Sequence, residues 1–330
     1  MSKRRKVAVL GPIPRDHITT HGGEVFEKYG CVLYTVAALS ALMSDEDLIC
    51  PIVHVRREDE AAIKDKLAHL PNVDLSGIQS HTDRGDLVEL VYTDQNTRIE
   101  RQADFMAPVL PRDVDPVLDA DAFVCVPITD YQVGIETLRH IRQNSNGLII
   151  LDGHGPTSTL TRTGERFNRL WLERDTWLSY VDVLKMNREE ASCSWFPILE
   201  HTAKPVLGEP LPDSELQDFA DHCLDRGVRA VCVTLDEEGC VVFHRDGTKT
   251  TQHDFVSVVP VDEVVDTTGC GDSFAAGMAY GYLGYDDTVA ACRFGNAMGA
   301  QRCVGSELSI YRTLEQTVRH IEETYGSVLP

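Results

Sequence analysis

The chain has 330 residues, 42% of them hydrophobic and 25% charged, with a net charge of −21 and ten cysteines. Those proportions fit one large or two ordinary globular domains and exclude a disordered, collagen-like or low-complexity chain. The acidity excludes a broad basic nucleic-acid footprint and argues against docking on anionic membranes.

In chain order, the basic start Ser2-Lys3-Arg4-Arg5-Lys6 is followed only by Val7-Ala8-Val9-Leu10 before Gly11-Pro12. That run is short of the ~7–15 apolar residues of a secretory signal, and nothing later approaches the ~20 of a membrane span. Scattered cysteines with no C-x-x-C pair point to reduced thiols and a cytoplasmic protein.

Residues 7–11 read as a buried strand closed by Gly-Pro. The small apolar stretch 32–43 reads as a helix, 48–53 as a strand and 58–69 as an amphipathic helix. Residues 86–94 and 97–102 alternate about a turn at Gln95-Asn96, the pattern of a hairpin flap. The strand–helix rhythm then resumes. Strands at 122–126 and 148–152 flank a helix at 133–143, and a helix at 167–175 precedes a strand at 181–185. The stretch 201–212 carries three prolines and reads as a surface loop. A helix at 213–226, strands at 230–235 and 240–244, and helices at 271–282, 287–303 and 313–325 complete the chain. This alternation predicts an α/β fold, a mostly parallel sheet with helices on both faces. Ligands of such sheets lie beyond the carboxyl ends of the strands.

The most informative motif is Asp266-Thr267-Thr268-Gly269-Cys270-Gly271-Asp272, which runs straight into the helical Ser273-Phe274-Ala275-Ala276-Gly277. Glycines at 269 and 271 let backbone amides point inward, and amides at a helix start carry partial positive charge without an internal partner. Such a place suits phosphate. A carboxylate at its mouth, Asp272, is placed to take a proton from a hydroxyl attacking phosphorus. The plain alternative is a helix cap.

The string 266–277 resembles the C-terminal signature of the ribokinase/PfkB family of carbohydrate and nucleoside kinases, and the resemblance extends more weakly over nearly the whole chain. It implies a ribokinase-like three-layer α/β/α sandwich forming one domain over 1–330, with a β-lid built from segments near 12–30 and 86–104. The implied reaction moves the ATP γ-phosphoryl group to a hydroxyl of a sugar-like molecule. Asp272 would then be the base and Gly269, Cys270 and Gly271 the anion hole.

Other positions follow from the same resemblance. Asn187 and Glu190 in Asn187-Arg188-Glu189-Glu190 match a motif that holds Mg²⁺ through water near the phosphates, which suits an ion that keeps its waters. Thr234 and Gly239 match a loop bordering ATP, with Asp236 where a glycine is usual, and Asn296 matches a polar contact to the adenine. Asp266 and Thr268 would help hold a monovalent cation such as K⁺. Asp16 would grip substrate hydroxyls, since an ionised carboxylate accepts from two neighbouring OH groups. Gly30 is what remains of a Gly-Gly substrate loop, with Leu33 or Tyr34 where an Asn is usual. Arg98 and Arg101 on the flap could meet an anionic group of the substrate, and the lid is expected to support a homodimer.

Competing readings are a catalytically silent nucleotide- or sugar-binding sensor on the same fold, and a thiol enzyme using Cys270. Asp152-Gly153-His154-Gly155 is read as lining the cleft, with His154 in a pocket-lining role. No His/Cys/Asp spacing suggests zinc. The Rossmann G-x-G-x-x-G is absent after the first strand.

Overall fold

The computed structural model describes residues 4–93, 98–196, 209–245, 247 and 249–330. The expected turn at Gln95-Asn96 and most of the proline-rich loop lie outside the described residues. In chain order the strands are β1 (Lys6–Leu10), β2 (Arg15–Thr19), β3 (Val25–Tyr29), β4 (Leu48–His54), β5 (Ile78–Gln79), β6 (Leu87–Tyr92), β7 (Arg98–Asp104) and β8 (Ala122–Cys125). They continue with β9 (Leu148–Asp152), β10 (Ser158–Leu160), β11 (Arg166–Asn168), β12 (Val183–Asn187), β13 (Ala230–Thr234), β14 (Gly239–His244) and β15 (Gln252–Ser257). The α-helices are α1 (Val32–Leu42), α2 (Glu60–Leu67), α3 (Ile135–Asn144), α4 (Arg174–Leu178), α5 (Arg188–Ser194), α6 (Asp213–Asp225), α7 (Cys270–Tyr285), α8 (Thr288–Cys303) and α9 (Leu314–Tyr325).

Nine strands form the central sheet in the order β15-β14-β13-β12-β9-β8-β1-β4-β5. From β13 to β5 all pairings are parallel, and β14 and β15 add an antiparallel edge. Successive strand residues point to opposite faces, so each strand feeds two cores. Val7 and Val9 of β1, with Ala230 and Cys232 of β13, pack with α1, α2, α7, α8 and α9. Ala8, Leu10, Val231 and Val233 pack on the other side with α3, α4, α5 and α6. The result is the three-layer α/β/α sandwich. Near-continuous apolar strands such as Lys6–Leu10 are what a sheet covered on both faces requires.

A second sheet has four strands in the order β3-β2-β6-β7. Ile18, Val88 and Leu90 form its own small buried cluster. Its root is fixed by Asp86, whose carboxylate accepts from Gln102 at 2.6 Å, Gln132 at 3.0 Å, Tyr131 at 3.1 Å and the amide of Met106 at 3.0 Å. The helix expected at 167–175 forms only from Arg174. Its first residues instead make β11, paired antiparallel with β10. Gly164, at φ +91°, turns the chain between the two strands. No helix among the described residues is long and apolar enough to cross a membrane.

Candidate active site

The parallel strands all end on one edge, which is where the candidate residues gather. Asp152 is the last residue of β9, Asn187 of β12 and Thr234 of β13. Above them α7 begins. Gly269 caps it at φ +86°, and a Cβ there would fall 2.3 Å from the ring of Tyr34, so any other residue would have to displace that buried ring. The amide of Cys270 donates to Thr267 O at 3.2 Å, and that of Ser273 to Gly269 O at 2.9 Å. Among the described residues the amides of Gly269, Gly271 and Asp272 have no acceptor. The amides left open at the start of α7 are therefore those three. Cys270, expected to contribute, is instead turned back onto the Thr267 carbonyl.

Asp272 is half-buried in the first turn of α7. Its carboxyl is pushed up to about 6, first by burial and then by the charge of Asp152, against the pull of Lys185 and a hydrogen bond from the Cys31 thiol at 3.5 Å. A carboxylate tuned to this range is basic enough to take a proton and is largely ionised at neutral pH. Cys31 is buried and feels the charges of Asp272, Asp152 and Asp16, which brings the two ends of the chain to one place. Asp16 is buried on β2. A Cβ at residue 30 would sit 2.9 Å from its Oδ2, which is why a glycine follows β3.

Sequence reasoning missed Lys185. It is the third residue of β12, buried, with Nζ 2.8 Å from Asp152 Oδ2. A Cβ on Gly271 would lie 3.0 Å from that ammonium. Burial would strip its proton, but the charges of Asp152, Glu190 and Asp272 outweigh this and keep it firmly charged. The signal was present, because a lysine inside an apolar strand is rarely buried without a partner. His154 follows nearby, its Nδ1 2.9 Å from Glu190 Oε1. Burial alone would lower the imidazole pKa, but Glu190's hydrogen bond and charge raise it.

Asn187 and Glu190 form a reciprocal cap at the start of α5. Asn187 Oδ1 accepts from the Glu190 amide, and Glu190 Oε2 from the Asn187 amide, both at 2.8 Å. Asp152, Glu190 and Asp272 all act on the Lys185 ammonium, so the strand ends here carry hard oxygen donors. That chemistry fits Mg²⁺ held through water.

Three expectations change. Asn296 is buried, and its amide donates to Val256 O at 3.1 Å, Ser257 O at 2.9 Å and Tyr325 Oη at 3.3 Å. It clamps α8 to β15 and has no donor left for an adenine. Asp266 accepts from Lys28 Nζ at 2.8 Å, Arg302 at 2.9 Å and the Thr268 amide at 2.9 Å. Burial would raise its carboxyl, but Lys28 above all holds it down to about 2. The carboxylate expected to help hold a monovalent cation is thus already paired with two cationic side chains of the protein. Asp236 adopts φ +48°, so the missing glycine does not prevent the left-handed turn, which aspartate tolerates.

The remaining positions are placed as follows. The Thr234 hydroxyl donates to Met186 O at 3.4 Å. Gly239 opens β14 against the backbone of β15. Leu33 and Tyr34 are buried, Tyr34 between Gly269 and the Arg302 guanidinium, 4.5 Å above its ring. Arg101 is paired with Glu89 at 3.0 Å and donates to Thr163 O at 3.1 Å. The side chain of Arg98 lies outside the described residues. Arg166 on β11 pairs with Glu100 at 3.3 Å, while its Nε and one terminal nitrogen are buried without a partner.

Residues 167–310 match the model of the pfkB family carbohydrate kinases. The chain is similar to an uncharacterized sugar kinase of Archaeoglobus fulgidus, 38% identical over 97 residues, which is 29% of this chain and 36% of that relative. It thus aligns with little more than a third of that relative's length. In solved structures the same fold occurs in Arabidopsis thaliana ribokinase complexed with ribose and ATP, with TM-score 0.70, 17% identity, and coverage of 97% of this chain and 99% of that one. It occurs again in a sulfate complex of a pyrophosphate-dependent kinase in the ribokinase family, with TM-score 0.70, 17% identity, and coverage of 96% and 99%.

Proposed function

We propose that this chain, whose residues 167–310 match the pfkB family carbohydrate kinase model and whose fold is that of Arabidopsis thaliana ribokinase, transfers the γ-phosphoryl group of ATP to a hydroxyl of a sugar-like acceptor. One observation carries this reading: a half-buried carboxylate held near 6 stands at the open amide end of α7. In this reading the phosphoryl group in transit lies against the Gly269, Gly271 and Asp272 amides, whose partial charge favours the negative oxygens. Lys185 adds a fixed positive charge beside them. Asp272 receives the proton of the attacking hydroxyl as its oxygen meets phosphorus. Asn187 and Glu190 would orient the waters of Mg²⁺, which supplies charge neutralisation on the phosphates.

The acceptor would lie between Asp16 and Asp272, under the second sheet acting as a lid that keeps out competing water. The orphaned N–H groups of Arg166, whose charge reaches His154 and Asp86, support an acceptor with an acidic or oxygen-rich substituent. The exposed side chains Val25, Phe26, Val91 and Ile99 support pairing of two lids in a homodimer.

The test is ADP release over a panel of pentoses, hexoses, inositols, nucleosides, sugar acids and sugar phosphates, with pyrophosphate run in parallel as donor. ADP formation with one acceptor supports the reading. Phosphate transfer from pyrophosphate alone would replace the donor. Ligand-induced melting shifts without turnover from either donor would make the protein a sensor.

A further inference from the structure

Two sulfurs stand beside the anion hole that the phosphoryl-transfer reading does not use. Cys270 is the first residue of α7, between the two glycines of the hole, and Cys303 is the last residue of α8. Their Sγ atoms are 3.1 Å apart. Both are partly exposed, whereas the other eight cysteines are buried. Both also grip the loop that leads into the hole. The carbonyl of Cys303 accepts from the amides of Val265 at 2.7 Å and Asp266 at 3.2 Å, and the amide of Cys270 holds Thr267.

We propose that Cys270 and Cys303 are a covalent modification site, a dithiol that a hydroperoxide converts to an intramolecular disulfide and thereby disables the anion hole. One thiolate attacks a peroxide oxygen. The O–O bond breaks, a sulfenic acid forms, and the displaced oxygen leaves as alcohol or water after taking a proton. The second sulfur then attacks the first. The S–S bond forms as the S–O bond breaks, and the hydroxyl group leaves as water with the second thiol's proton. Two electrons pass from the sulfurs to the peroxide.

The consequence for the site follows from lengths. A disulfide spans about 2.05 Å, so the sulfurs must close by about 1 Å. One of them rides on the residue between Gly269 and Gly271, whose amides the phosphoryl group would use. Displacements of about 1 Å at a reacting centre can cost roughly 10²-fold. This inference rests on the phosphoryl-transfer reading for its effect on turnover, but the sulfur chemistry itself does not need that reading.

The full-length protein, reduced and desalted, is treated with hydrogen peroxide, digested without reductant and mapped by tandem mass spectrometry. The expected result is a Cys270–Cys303 linked peptide, a fall in turnover of about tenfold or more, and recovery of both on adding dithiothreitol. Cys303→Ser should give no linked peptide and keep its turnover under peroxide. Thiols that stay unlinked would overturn the proposal, as would a linked protein that turns over at the reduced rate or a Cys303→Ser protein inactivated equally. If the reduced protein shows no turnover with any acceptor, the phosphoryl-transfer reading and this proposal's disabling step both fall, while the peptide map still decides whether the disulfide forms.

Discussion

Lys185 holds Asp152 at 2.8 Å inside the protein, and the same ammonium reaches the first turn of the helix that carries Asp272. Lys185→Met would leave Asp152 buried without a countercharge, which typically costs about 3–5 kcal/mol. Urea denaturation should show that loss, and the double variant Lys185→Met/Asp152→Asn should recover most of it. A single variant as stable as the parent would mean that water already screens this pair.

Asp272→Asn removes the proton acceptor while keeping the shape of the first turn. Turnover should fall by roughly 10²–10⁴-fold or more, since positioning and base action combine there. Binding of a non-hydrolysable ATP analogue, measured by calorimetry, should change little. Turnover near that of the parent would remove Asp272 from the chemistry.

With the Asp272 carboxyl pushed up to about 6, kcat should fall as pH drops through about 6 and level off above it. Stability runs the other way. The folded state holds this proton more tightly than the unfolded chain, whose carboxyl titrates near 4, so the group favours folding as pH falls from about 6 toward 4 and opposes it above. Asp272→Asn should therefore melt at a higher temperature than the parent at pH 8. Equal melting temperatures there would show that the carboxylate is not held under strain.

Because Lys28 and Arg302 already neutralise Asp266, turnover should be the same in potassium chloride and in tetramethylammonium chloride of equal ionic strength. A Lys28→Met variant should acquire a potassium requirement. Activation of the parent by potassium would place a cation elsewhere in this loop.

If the two lids pair, light scattering should give twice the mass of one chain, and Phe26→Asp should yield the monomer. A parent that is monomeric at micromolar concentration would leave the exposed Val25, Phe26, Val91 and Ile99 to another partner.

The layered fold was legible because its strands are continuous apolar runs and its helices start at recognisable signals such as Pro212-Asp213 and Thr313 with Gln316. The open helix start at Gly269 and Gly271 was legible from local backbone chemistry, whereas the role expected for Asp272 came from the longer string 266–277 and its family resemblance. Strands β2 and β3 were not, since Arg-Asp-His-Ile-Thr and Val-Phe-Glu-Lys-Tyr are short and carry charged residues, β2 is held by pairing with β6 some seventy residues away, and β3 pairs only with β2. Asn296 misled for a related reason. Its partners are carbonyls of the edge strand β15, whose polar sequence Gln252–Ser257 carries no strand signal of its own. Lys28 and Arg302 meet at Asp266 from opposite ends of the chain, and no local pattern announces such a meeting.

The small sheet joins β2 to β6 in parallel, though the two are far apart in sequence. It is therefore not a loop that can be cut out and transplanted. A chimera meant to borrow this cover for another enzyme must import both stretches together, or the recipient inherits half a sheet with an open, adhesive edge.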